Sequence, residues 1–250
     1  MKNVCVKNLN FNDNSPKICV PLTGETNDQI LNDIENLKVF DYDLVELRID
    51  YYENFEEFQK VISLLKEIKS HFDKPILFTF RTKNEGGNLE ISEEMYFELN
   101  QYVIKSRLID LIDIELFSCE EKIIETINLA HENNINVIMS NHEFYKTPSK
   151  EEIINRLVKM QSYEADITKI AVMPNKEEDV LTLMEATLEM KKGKADRPFI
   201  TMSMGSLGVI TRLTGELTGS CLTFAALNKS SAPGQINVRN AREILNILSM

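Results

Sequence analysis

A lysine stands in the middle of an apolar run, Ala165-Asp166-Ile167-Thr168-Lys169-Ile170-Ala171-Val172-Met173-Pro174. The run is short, ends at a proline and has the pattern of a strand buried on both faces. An ammonium group is costly to take out of water. Lys169 must therefore find a carboxylate partner or shed its charge and sit as a neutral amine. A neutral amine in such a place is a nucleophile toward ketones. The plain alternative is a lysine reaching from a strand end to a surface partner, and this segment alone favours that alternative.

Other residues able to do chemistry fall at the ends of similar runs. In Val45-Glu46-Leu47-Arg48-Ile49-Asp50 the alternation puts Glu46 and Arg48 on one strand face, Leu47 and Ile49 on the other. An ion couple serving only packing is the competing reading. Thr79-Phe80-Arg81 ends another run, and Glu85 follows in a loop bearing Gly86 and Gly87. Taken alone, a loop carboxylate is ordinarily just solvated. Met139-Ser140-Asn141-His142-Glu143-Phe144 places His142 one run before Lys169. Imidazole is the natural proton carrier at neutral pH, although a lone strand-end histidine is more often structural. Met202-Ser203-Met204-Gly205 turns both methionines to one face, as core filling or as a wall against a flat ligand. Arg212 comes next, a guanidinium able to grip a carboxylate with two hydrogen bonds. Ser231 and Gln235 lie in Asn228-Lys229-Ser230-Ser231-Ala232-Pro233-Gly234-Gln235, whose composition marks a loop and a candidate lid over 229–237.

These residues need elements to position them. Strand-like runs occur at Ile18–Leu22, Leu44–Ile49, Pro75–Arg81, Leu111–Leu116, Asn136–Ser140, Ile167–Met173, Phe199–Met204 and Cys221–Ala226. Between them lie helical stripes with apolar residues three and four apart, such as Phe55, Phe58, Val61, Ile62, Leu65 and Ile68, or Ile153, Ile154, Leu157, Val158 and Met160. Ser149 and Glu152 read as a capping box opening the second of these stripes. Strand and helix in strict alternation predict an α/β fold, a (β/α)8 TIM barrel. A doubly wound open sheet competes, but the turn after the first run, Thr23-Gly24-Glu25-Thr26, has a single glycine where a phosphate loop needs several. Alternation in Val4–Phe11 followed by Asn12-Asp13-Asn14-Ser15-Pro16 suggests a β-hairpin outside the barrel. No linker divides the chain, so residues 1–250 are expected to form one barrel domain. In such barrels chemistry sits at the C-terminal strand ends, where a lysine, a histidine, three arginines and two carboxylates now gather.

Composition narrows the class of partner. The chain of 250 residues has 39 acidic against 28 basic side chains, a net charge of −11, which disfavours nucleic acid and anionic membranes as main partners. Discrete arginines would then hold any anion. Cys5, Cys19, Cys119 and Cys221 lack C-x-x-C spacing, and His71, His131 and His142 are scattered, so neither a metal site nor a disulfide framework is expected. No segment approaches the roughly 18 apolar residues of a membrane span, and Met1–Asn12 has no signal-peptide core. A cytoplasmic protein with a small-molecule substrate is the expectation.

The segments Glu46-Leu47-Arg48, Thr79-Phe80-Arg81 with Glu85, Ser140-Asn141-His142-Glu143-Phe144 with Thr147-Pro148, Asp166–Ala171, Met202–Arg212 and Ser231–Gln235 occur in an order that resembles the type I 3-dehydroquinate dehydratases. The resemblance spans nearly the whole chain. It implies a (β/α)8 lyase, commonly dimeric, that dehydrates 3-dehydroquinate to 3-dehydroshikimate in the shikimate pathway without metal or nucleotide cofactor. It further implies that Lys169 forms an imine with the substrate ketone, that His142 carries protons, and that Glu85 supports His142. Glu46, Arg48 and Arg81 match residues at the ring hydroxyls and around the site; Arg212, Ser231 and Gln235 match those holding the substrate carboxylate and covering the pocket, and Met202 and Met204 fall in a matching segment as further substrate-binding candidates. One departure is Pro21, at a first-strand position where some relatives have serine. The nearest rival is a class I aldolase, which also uses a barrel lysine. A non-catalytic ligand-binding barrel is the rival of another class.

Overall fold

The computed structural model describes residues 1–228 and 230–249. The chain opens with two short antiparallel strands, β1 (Cys5–Val6) and β2 (Leu9–Asn10). Eight parallel strands follow: β3 (Lys17–Leu22), β4 (Leu44–Arg48), β5 (Ile76–Thr79), β6 (Leu111–Glu115), β7 (Asn136–Glu143), β8 (Ile167–Val172), β9 (Phe199–Ser203) and β10 (Leu222–Phe224). Helices α1 (Asn27–Leu37), α2 (Phe58–His71), α3 (Glu93–Ser106), α4 (Glu120–Glu132), α5 (Lys150–Ser162) and α6 (Glu177–Glu189) alternate with them. Two short helices, α7 (Val209–Leu213) and α8 (Gly215–Thr218), stand between β9 and β10, and α9 (Val238–Leu248) follows the last strand. The sheet runs β10-β3-β4-β5-β6-β7-β8-β9. A parallel bridge between Phe199 and Ser220, with the Cys221 amide donating to the Phe199 carbonyl at 2.9 Å, closes it into the expected barrel.

Period-two alternation sorts each strand's side chains. Outward residues such as Val20, Leu47, Phe78, Ile112, Val137 and Ile170 join the helix faces in one apolar layer. Inward residues such as Cys19, Leu44, Leu77, Leu111, Ile138, Ile167 and Ile200 fill the barrel, together with Val4, Val6 and Phe11 from the hairpin segment. The expected hairpin therefore exists and acts as a plug under the barrel. Its turn lies at Lys7-Asn8, where Lys7 takes a φ of 50°, and not at Asn12–Pro16.

Boundaries differ from the sequence reading where polarity misleads. Strand β7 continues past Ser140 to Glu143, because pairing of His142 with Ala171 and Glu143 with Val172 keeps the polar end extended. Strand β10 has three residues, fewer than the run Cys221–Ala226 suggests. Phe55 precedes α2 and packs in the turn before it. Ser149 caps α5 as expected, its hydroxyl accepting from the Glu152 amide at 3.2 Å, but the Glu152 carboxylate turns to Arg156 instead of closing a box.

Candidate active site

The inward positions rise in layers. Leu44, Leu77, Leu111, Ile138, Ile167 and Ile200 make an apolar floor. Two residues further along each strand come Glu46, Thr79, Asp113, Ser140, Lys169 and Met202. Two further still come Arg48, Arg81, Glu115, His142, Ala171 and Met204. A single alternation rule therefore sets acids, bases and two methionines above a hydrocarbon base at the C-terminal strand ends.

Lys169 is 3% exposed and has found a carboxylate partner. Its Nζ lies 3.2 Å from Asp113 Oδ2 and 4.5 Å from the centre of the Phe224 ring. Asp113 also accepts from Ser140 Oγ at 2.6 Å and pairs with Arg81 Nη2 at 2.8 Å. Burial alone would raise its carboxyl, but the Arg81 and Lys169 charges and the donated hydrogen bonds outweigh that and hold it below the usual carboxylate range. Arg81 spans this layer, its Nη1 also donating to Glu115 Oε1 at 2.7 Å and to Ser140 Oγ at 3.0 Å. Arg48 forms a two-bond pair with Asp50, both contacts at 2.8 Å, and Thr79 Oγ1 donates to Glu46 Oε1 at 2.9 Å. These fixed ion pairs orient the polar layer before any ligand arrives.

Glu85 reaches the same layer from a tight turn after β5. Gly86 ends that turn at a φ of +81°, and a Cβ there would fall 2.2 Å from the Phe144 ring, so only glycine lets the chain fold back this far. Glu85 Oε2 then accepts from the His142 backbone amide and lies beside its ring Nδ1, each at 2.9 Å. Oε1 accepts from Asn141 Nδ2 at 3.1 Å. Burial, then the Glu115 charge, pushes the Glu85 carboxyl upward against the pull of Arg81. Burial, then the charges of Arg81, Lys169 and Arg48, holds the His142 imidazole well below its ordinary value. That direction keeps the imidazole neutral at neutral pH, with Nδ1 beside Glu85.

Arg212 on α7 closes the other side. It is 2% exposed, and among the described residues no acidic side chain pairs with it. Nη1 lies 3.4 Å from Met202 Sδ, Nη2 donates to the Pro233 carbonyl at 3.0 Å, and Nε has no partner. Burial lowers its value to about 10, leaving it a cation at neutral pH. A buried guanidinium with a donor unspent has the chemistry to pair with an anion. Over it, Gln235 Nε2 donates to Ser231 Oγ at 2.9 Å and the Gly205 amide donates to the Pro233 carbonyl at 3.2 Å, fixing the loop across the mouth. Lys229, the first residue of the expected lid, lies outside the described residues.

All eleven residues singled out from the sequence line one cavity: Glu46, Arg48, Arg81, Glu85, His142, Lys169, Met202, Met204, Arg212, Ser231 and Gln235. Phe144, Ala171 and Phe224 add an apolar wall that the sequence reading left out. Pro21 pairs with Glu46 in the sheet but lines a separate surface cleft with Thr23 and Asn228. Asp50, Asp113 and Glu115 were missed, although Leu111-Ile112-Asp113-Ile114-Glu115 carries the same alternation that exposed Glu46 and Arg48.

Fold and cavity together define a (β/α)8-barrel protein whose strand ends hold a polar cavity lined by a lysine, a histidine, arginines and carboxylates, the place where such barrels do chemistry. The family model for type I 3-dehydroquinase matches residues 18–250. A 3-dehydroquinate dehydratase from Clostridium novyi is 51% identical over 249 residues, covering 99% of this chain and 98% of that one. The crystal structure of a type I 3-dehydroquinate dehydratase from Clostridium difficile, with covalently modified comenic acid, superposes with a TM-score of 0.95 at 49% identity, covering 99% of this chain and 97% of that one. The structure of a 3-dehydroquinate dehydratase from Enterococcus faecalis gives a TM-score of 0.92 at 44% identity, covering 98% of each chain. The chain belongs to the type I 3-dehydroquinase family.

Proposed function

We propose that this chain is a lyase that removes water from 3-dehydroquinate to give 3-dehydroshikimate, through a Schiff base on Lys169. The observation that carries the reading is one cavity holding a buried lysine, a neutral histidine oriented by Glu85, and a partnerless guanidinium. That set suits a ketone, an acidic C–H bond and a carboxylate on one small ring. A relative solved with covalently modified comenic acid adds support.

In this mechanism the Lys169 ammonium gives up a proton as the ketone enters, the freed amine attacks the ketone carbon, and that proton returns to the carbinolamine oxygen, which leaves as water to give the protonated imine. Asp113 keeps a negative charge beside a nitrogen that is cationic both as ammonium and as imine. The imine draws electrons from the adjacent carbon, and His142 Nε2 takes that carbon's proton. The resulting enamine expels the neighbouring hydroxyl, which leaves as water with the proton from His142. Hydrolysis of the imine consumes one water, frees Lys169 and releases the enone, so the net change is loss of one water. Positioned proton transfer is typically worth about 10² to 10⁴ in rate, and the imine supplies much of the rest. Arg212 holds the carboxylate, Glu46, Arg48 and Arg81 face the ring hydroxyls, Met202 and Met204 flank the ring, and Ser231 and Gln235 cover it. Barrels acting on sugar phosphates commonly hold the phosphate on loop backbone N–H groups and a helix N-terminus after their late strands, whereas here a buried guanidinium side chain stands at that place, which weighs against an aldolase.

The same reading has the whole chain act as one barrel domain, in the cytoplasm and as a homodimer, which sedimentation of the purified protein checks. The central test is mass spectrometry after borohydride reduction with 3-dehydroquinate present. The wild type gains the reduced adduct on Lys169, and Lys169→Ala gains none; an adduct persisting in Lys169→Ala sinks the imine assignment.

A further inference from the structure

The Glu85–His142 pair does not end at Glu85. Asn141, next to His142 on β7, is 3% exposed and sits between two partners of fixed character. Its Oδ1 accepts from Arg156 Nη1 at 2.9 Å, and its Nδ2 donates to Glu85 Oε1 at 3.1 Å. An amide seen on its own could face either way. Here Arg156 decides, because a guanidinium only donates and so demands the amide oxygen. The NH2 group is thereby turned to Glu85, which must present Oε1 as an acceptor. Oε2 already receives the His142 backbone amide. The donors from Asn141 and the His142 amide favour an ionised Glu85 against its burial, and with Glu85 ionised ring Nδ1 holds its hydrogen toward Oε2 and Nε2 is left with the lone pair.

Arg156 is built to hold that position. It stands on α5, its Nε donates to Glu152 Oε1 at 2.8 Å, Glu143 Oε2 lies 3.8 Å from Nη1, and its guanidinium centre lies 5.3 Å over the Phe117 ring. It does not line the Lys169 cavity; it borders the open cleft behind the Glu85–His142 wall, with Phe117 and Asn141. We propose that Asn141 and Arg156 are positioning residues for proton transfer, a relay of polarity from guanidinium through amide and carboxylate that fixes the His142 tautomer. The assignment rests on His142 carrying protons, as proposed above.

The test pairs Asn141→Asp and Arg156→Met with Arg156→Lys, and reads steady-state turnover, borohydride trapping and the ¹⁵N ring resonances of His142. A His142→Gln spectrum picks its signals out from those of His71 and His131. Asn141→Asp keeps the size and the Arg156 contact but turns a second carboxylate on Glu85. Loss of an outer partner of a functional histidine typically costs on the order of 10- to 100-fold in activity. The expected result is a fall of that size in kcat with KM little changed, adduct formation intact, and His142 shifted from the Nδ1–H form toward Nε2–H. Arg156→Lys, which still donates to Asn141, restores part of kcat. Wild-type kcat with an unchanged tautomer in Asn141→Asp overturns the proposal, as does a loss confined to melting temperature. If Arg156→Met fails to fold, Asn141→Asp decides alone. His142→Ala measured alongside separates the two ideas: normal turnover there rejects the proton carrier itself, whereas slow turnover there with a normal Asn141→Asp rejects only the relay.

Discussion

Arg212 spends its buried donors on a thioether and a backbone carbonyl, weak company for a full charge. Removing it should therefore show mainly in binding. Charge-assisted hydrogen bonds are worth about 1.5–3 kcal/mol, so Arg212→Ala should raise KM roughly 10- to 100-fold and leave borohydride trapping on Lys169 measurable at high substrate. An unchanged KM would take Arg212 out of the anion site. His142 gives a pH prediction with a definite sign. It must be neutral to take a proton, and burial with three nearby cations depresses its value, so the neutral form persists into acid. Followed through its own ¹⁵N ring resonances, His142 should titrate below about 6.5, the ordinary histidine value, and a titration above it would contradict the depressed value. At this scale the sequence spoke clearly wherever a residue broke its local pattern. Lys169 interrupts an apolar run and His142 ends one, so both stood out. Asp113 and Glu115 obey the alternation as fully as Glu46 and Arg48 do, yet no feature of one strand reveals that a partner arrives from two strands away. Lys169 meets Asp113 only because β6, β7 and β8 are neighbours in the closed sheet.

Among the elements, the loops after β5, β9 and β10 bring chemistry to a mouth that strands alone would leave open. The lid loop is pinned where Gly234, at a φ of +80°, crosses the Gly205 backbone; an added Cβ would lie 2.4 Å from the Gly205 carbonyl oxygen. Gly234→Ala adds that clash to a left-handed conformation that costs roughly 1–2 kcal/mol. The loop should lift, raising KM while the melting temperature of the barrel stays nearly unchanged. An unaltered KM would show that the loop covers nothing the substrate needs. Strand and helix positions were legible because alternation and the three-four spacing are local signals. The end of β7 was not, since extension through Asn141, His142 and Glu143 depends on ladder bonds to β8, a neighbour no single run discloses. Glu85 in its loop was similarly mute: its inward turn is set by Gly86 packing on Phe144, residues far apart in the chain.

At the scale of the molecule, the barrel followed from a count of alternating elements, while the plug under it did not. Val4, Val6 and Phe11 read as an amphipathic strand segment, and only the closed ring supplies an open end for them to fill. That ring is unevenly sewn. Strands β6 and β7 share five register pairs and β7 and β8 share six, whereas among the described residues β9 meets the β10 side through one bridge, at Phe199 and Ser220. Asp113, His142 and Lys169 therefore stand on the firmest wall, and Met202, Arg212 and the lid stand beside the seam. Local opening starts where few ladder bonds must break, so hydrogen exchange should reach the amides of Cys221 and Ala225 well before those of Ile114, Met139 and Ile170. Uniform exchange around the ring would contradict this. An anion gripped by Arg212 should slow exchange at the seam and hardly alter the firm wall. The barrel would then behave less like a rigid cup than like an anvil with a hinged jaw, tightening on its substrate from one side only.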